Sequence, residues 1–76
     1  MNRERIILNS LSLVSPRMLP LRTLLADVRM DLPELTEGDL ITCLRTLESK
    51  KQVVQVSDED TTRIKITSAG QARLLE

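Results

Sequence analysis

The chain contains no phenylalanine, tyrosine, tryptophan or histidine, and Cys43 is its only cysteine. Without aromatic rings there is no stacking platform, the usual hold on single-stranded nucleic acid. The core must therefore be built from Leu, Ile, Val and Met. One cysteine and no histidine exclude a disulfide framework and a metal site of His/Cys spacing. With two glycines, Gly38 and Gly70, there is no glycine-rich phosphate loop. No serine has a histidine to activate it, so an enzyme is not expected, and no cofactor is implied. Eleven Lys and Arg balance eleven Asp and Glu. A net charge of zero suits poorly a protein that coats nucleic acid indiscriminately, because phosphate binding is largely electrostatic.

Long apolar runs are also missing. No stretch approaches the roughly 18–20 residues of a membrane span. The opening Met1-Asn2-Arg3-Glu4-Arg5-Ile6-Ile7-Leu8 has the basic start of a signal peptide, but Asn9, Ser10 and Ser12 interrupt the apolar stretch and no small-residue cleavage site follows. The expectation is a soluble, cytoplasmic protein, in keeping with a free thiol.

Seventy-six residues suffice for one domain, residues 1–76. A chain of this size buries only about 60% of its unfolded surface, so its stability margin is thin. The charge is polarised. Residues 1–30 carry Arg3, Arg5, Arg17, Arg22 and Arg29 against Glu4 and Asp27, whereas residues 31–49 carry Arg45 against five acids. Any anion-binding face must be local.

Apolar spacing outlines the elements. Ile7, Leu8, Leu11 and Val14 share one helical arc, giving a helix over about 3–14 that ends before Pro16. Leu21, Leu24, Leu25 and Val28 repeat as an amphipathic stripe, a second helix over 20–29 with Pro20 in its first turn. Thr36 with Asp39 three residues on is a capping-box start for a third helix, 36–49, with Leu40, Cys43, Leu44 and Leu47 inward. The period then changes. Val54 and Val56 alternate, as do Ile64 and Ile66, with Gln55, Arg63 and Lys65 on the opposite faces, around the polar turn Ser57–Thr62. This is a hairpin with strands at 52–56 and 62–66. Thr67 or Ser68 then caps a short last helix, Ala69–Leu75. The fold class expected is α+β and mainly helical: a three-helix core, a two-stranded hairpin and a short C-terminal helix.

That order resembles a winged helix-turn-helix domain of the bacterial and archaeal transcription-regulator type. Leu44-x-x-Leu47-Glu48 followed by Lys50, Lys51 and Val53 is similar to the end of a recognition helix entering a wing. The run Ile66 to Leu74 is similar to the stretch that closes the wing, with Thr67 as cap, Gly70 three later and Leu74 four after that. The resemblance spans about residues 20–75. Two features depart from it. A Lys, 50 or 51, stands where a left-handed Gly usually follows the recognition helix. The link Met30–Leu35 is longer than that of a tight helix-turn-helix.

The resemblance implies that helix 36–49 enters the major groove of duplex DNA, as in a small regulator of transcription. Gly38, Thr42, Arg45, Thr46 and Ser49 then form the reading face, with Arg45 aimed at guanine and the hydroxyls at bases or phosphates. Arg17, Arg22 and Arg29 would hold backbone phosphate, with Arg3 and Arg5 adding to the patch, and Arg63 and Lys65 would contact it from the wing. The plain alternative is that these are solvated charges. The wing tip Asp58-Glu59-Asp60 would repel phosphate. A second reading is therefore a protein–protein module on the same scaffold, docking through that tip and the acidic segment 31–39. Cys43 reads as a small core residue. Ile6 and Leu13, off the main arc of the first helix, mark either a homodimer contact or a seat for Leu74 and Leu75.

Overall fold

A computed structural model describes residues 2–76. Among them are four helices and a three-stranded antiparallel sheet: α1 (Arg3–Ser12), β1 (Leu19–Pro20), α2 (Leu21–Val28), α3 (Glu37–Ser49), β2 (Val53–Ser57), β3 (Thr62–Ile66) and α4 (Ser68–Leu74). The α+β class holds. The strand order is β1-β3-β2.

Three of the four described helices start where a side chain accepts an orphan backbone N–H; α2 follows Pro20 and has no such cap. Asn2 accepts from the Glu4 amide at 2.9 Å, and Thr67 from the Gly70 amide at 3.2 Å. The expected capping box is present: the Asp39 amide donates to Thr36 Oγ1 at 3.1 Å, and the Thr36 amide to Asp39 Oδ2 at 3.2 Å. At the far end of α3 the chain turns through Lys51, at φ 62°. The Lys51 amide donates to the Glu48 carbonyl and the Gln52 amide to the Leu47 carbonyl, both at 2.9 Å. This is a Schellman closure whose left-handed position holds lysine instead of glycine.

One aliphatic cluster joins the elements. Ile7, Leu8 and Leu11 of α1 meet Leu24 and Val28 of α2, Leu40, Leu44 and Leu47 of α3, and Val53, Ile64 and Ile66 of the sheet, with Leu35 closing one end. The long link before α3 is thus anchored by its own leucine. Ile6 packs against this cluster, as does the half-buried Cys43. Leu13 is 78% exposed and Leu75 88%.

Three expectations need correction. Helix α1 stops at Ser12, and Val14 lies in the following turn, half-buried. Pro20 precedes α2 in extended backbone and, with Leu19, forms a strand: Leu19 pairs with Ile64 and Pro20 with Arg63. A two-residue strand has no alternation to read, and a proline lacking N–H is tolerated at a sheet edge. The faces of β2 are the reverse of those expected. Val53 pairs with Ile66 and Gln55 with Ile64, so Val53 and Gln55 face the helices while Val54 and Val56 lie on the outer face beside Lys65 and Arg63. Burial of Ile64 and Ile66 fixes the register, and a one-residue offset exchanges every side chain between faces.

Candidate functional site

Helix α3 turns Leu40, Leu44 and Leu47 into the core. Gly38, Thr42, Arg45 and Ser49 on its other side are exposed, and Thr46 at the margin is half-buried. The hydroxyls are bonded back to their own helix: Thr42 donates to the Gly38 carbonyl at 3.0 Å, Thr46 to Thr42 at 3.2 Å and Ser49 to Thr46 at 2.9 Å. Their protons are engaged by the helix, so each hydroxyl oxygen is left as an acceptor. The face therefore offers acceptors at the hydroxyls and donors at Arg45. Acceptors suit the exocyclic amino groups of adenine and cytosine, and a guanidinium suits the acceptor edge of guanine.

Arg45 also borders a shallow depression between α3 and the inner side of the hairpin, lined by Leu21, Ile41, Glu48, Gln55, Ser57 and Thr62. A second depression adjoins it across Leu21 and Thr62 and carries Arg22, Arg63, Glu37 and Asp60. Arg45 thus borders the first depression and Arg22 the second, interleaved with Glu37, Glu48 and Asp60, while Arg63 reaches the second from the outer face of the sheet that it shares with Lys65. Gln55 and the Leu21–Thr62 bridge were absent from the sequence-based set. Val53 is buried, so Gln55, two residues on in the strand, points the same way.

The other candidates divide. Arg17 is exposed in the turn before β1. Lys65 lies half-buried on the outer face of the sheet opposite Val54, away from the α3 side. Arg29 is committed elsewhere: its Nε donates to the Leu35 carbonyl at 2.7 Å, tying the link before α3 to the end of α2. Arg5 is committed too. Its guanidinium donates to the carbonyls of Arg73, Leu74 and Glu76 at 3.2, 3.0 and 3.3 Å, closing the C-terminus of α4. Beside it Glu4 bonds Arg73 at 2.6 Å and Lys50 at 3.3 Å. The Arg73 guanidinium, with Lys50 adding, holds the Glu4 carboxyl below its usual range against the opposing effect of burial. The expected patch of five arginines is therefore divided: Arg5 and Arg29 make structural bonds, Arg3 borders the link before α3 beside Asp31 and Glu34, and Arg17 and Arg22 are exposed.

Asp39, at the margin of the α3 face, is held ionised by the Thr36 backbone amide, which keeps its carboxyl below the usual value. Burial pushes the Cys43 thiol up, so the thiolate that redox chemistry needs is disfavoured. No group of three or more Asp, Glu or Cys among the described residues is arranged to hold a metal ion. No helix among them is long and apolar enough to cross a membrane.

No family model matches the chain, and neither a curated protein nor a solved structure does.

Proposed function

We propose that the chain is a winged helix-turn-helix protein that binds duplex DNA through α3, as a small transcriptional regulator. The element order and the β1-β3-β2 sheet are compatible with that arrangement. The observation that carries the reading is the two-sidedness of α3. Its leucines are fully buried while Gly38, Thr42, Arg45 and Ser49 are exposed. Arg45 reads a base edge, and Arg17, Arg22 and Arg63 meet phosphates.

The test is a titration of the full chain against duplexes enriched from a genomic pool. Three phosphate contacts give a log–log salt slope of about −2.7. Arg22→Ala weakens all duplexes alike. Arg45→Ala removes roughly 1–3 kcal/mol of discrimination at one base pair, the worth of a bidentate arginine–guanine contact. Absence of any duplex binding at low salt refutes the proposal.

The exposed acidic tip Asp58-Glu59-Asp60 favours a second reading, a protein-interaction module on the same scaffold. In that case charge reversal at the tip abolishes capture of a basic partner and leaves duplex binding absent in both forms.

A further inference from the structure

The two edges of the sheet are built differently. Strand β1 is two residues long and contains Pro20, both of which discourage further pairing. Strand β2 is five residues, Val53-Val54-Gln55-Val56-Ser57, with no charge, proline or glycine, and it forms the opposite edge. Such an edge is a template for another strand unless it is already used.

The direction of its free groups follows from the ends of the hairpin. The Asp58 amide donates to the Thr61 carbonyl at 2.8 Å, and the Gln52 carbonyl accepts from the Thr67 amide at 3.0 Å. Main-chain groups alternate sides along an antiparallel strand. Residues 52, 54, 56 and 58 therefore turn toward β3, and Val53, Gln55 and Ser57 turn their N–H and C=O groups off the sheet. On the outer face Val54 and Val56 are 40% and 45% exposed.

We infer that β2 pairs antiparallel with β2 of a second copy of this chain, about a two-fold axis at Gln55. In that register Gln55 faces Gln55 of the partner subunit, and Val53 faces Ser57 of the partner subunit. Every outward main-chain group of the strand then has a mate. Val54 comes beside Val56 of the partner subunit, and by symmetry four valines form one strip on the outer face. The charges fit the same axis. Asp58, Glu59 and Asp60 follow the strand and the exposed Lys51 precedes it, so each tip runs toward Lys51 of the partner subunit, while Lys50 stays with Glu4. An acidic wing tip, unexplained by phosphate binding, thereby gains a basic neighbour. The pairing keeps α3 of both copies on the inner side of a continuous six-stranded sheet, and it does not depend on whether DNA is bound.

The experiment is sedimentation equilibrium of the full chain with amide hydrogen exchange on the same samples. One strand pair is a small interface, so concentrations run to about 1 mM. The mass rises from that of one 8.6 kDa chain toward twice that value. In step with it the Val53, Gln55 and Ser57 amides become protected, while those of Val54 and Val56 are protected throughout. Gln55→Pro, which removes an N–H aimed at the free edge, stays monomeric and keeps the Val54 and Val56 protection that reports a folded hairpin. Glu59→Lys weakens association about tenfold, because the contact occurs twice, and adding Lys51→Glu restores it. A mass fixed at one chain overturns the inference. So does a dimer in which Val53, Gln55 and Ser57 exchange freely, or one that Gln55→Pro leaves intact.

Discussion

Replacing Gly70 by alanine adds one methyl group where α4 meets the sheet, and the two obvious contributions have opposite signs. Alanine is better than glycine inside a helix by about 1 kcal/mol. A Cβ at this position, however, would collide with the Gln52 carbonyl oxygen, lie 2.7 Å from Ile66 Cγ1 and 3.2 Å from Leu8 Cδ2. The side chains can shift by a few tenths of an ångström. The carbonyl cannot, because it belongs to the backbone and accepts from the Thr67 amide at 3.0 Å. Forcing atoms into such a contact costs about 3 kcal/mol, the upper part of the usual overpacking range. Net destabilisation is then about 2 kcal/mol, which for a domain of this size lowers Tm by roughly 8–16 °C. Thermal unfolding followed by far-UV circular dichroism measures it. Ala72→Gly, on the exposed side of the same helix, serves as the control and loses only about 1 kcal/mol through propensity. If Gly70→Ala unfolds at the wild-type temperature or above it, α4 does not sit against Gln52 and Ile66, and the reasoning fails.

Arg29→Ala lowers stability by about 1–2 kcal/mol by leaving the part-buried Leu35 carbonyl without its donor; chemical denaturation reads the loss, and duplex affinity below the transition stays at the wild-type value. Lys51→Gly relieves the left-handed strain after α3 and raises stability by roughly 0.5–1 kcal/mol once the greater freedom of unfolded glycine is counted, seen as a higher urea midpoint with unchanged slope. Glu4 titrates below its ordinary 4.5 in the folded chain. Its contribution is therefore whole above that pH and disappears as the pH falls through the lower folded value. Urea midpoints taken from pH 7 to pH 3 show a steeper acid decline for wild type than for Glu4→Gln, which at neutral pH is weaker by about 1 kcal/mol.

Helix positions were readable because several independent cues agreed at each one. Thr36 and Asp39 announced the start of α3 through cap chemistry, and Leu40, Leu44 and Leu47 its buried side. The turn at Lys50 or Lys51 was visible as a missing glycine, and Lys51 occupies it. What escaped was set by partners far along the chain. Strand β1 exists only because Ile64 and Arg63 lie beside Leu19 and Pro20. The alternation of Val54 and Val56 suggested the wrong inner face, because local pattern cannot reveal that Val53 is claimed by Ile66. The arginines show the same division. Arg5 and Arg29 are indistinguishable in sequence from Arg22, yet carbonyls at the end of α4 and at Leu35 engage them. For the candidate face itself, helical periodicity alone selected Gly38, Thr42, Arg45, Thr46 and Ser49. The adjoining depression needed the third dimension, since Leu21, Gln55 and Thr62, which line it, come from three separate elements.

Backbone amide chemical shifts followed during addition of an enriched duplex at low salt examine that face residue by residue. The expected result is a set of shifts concentrated at Gly38, Thr42, Arg45, Thr46 and Ser49, extending to Arg22 and Arg63, with α1 and α4 unmoved. Shifts confined to α1 and α4, or no shifts at all, would show that the open side of α3 does not meet DNA.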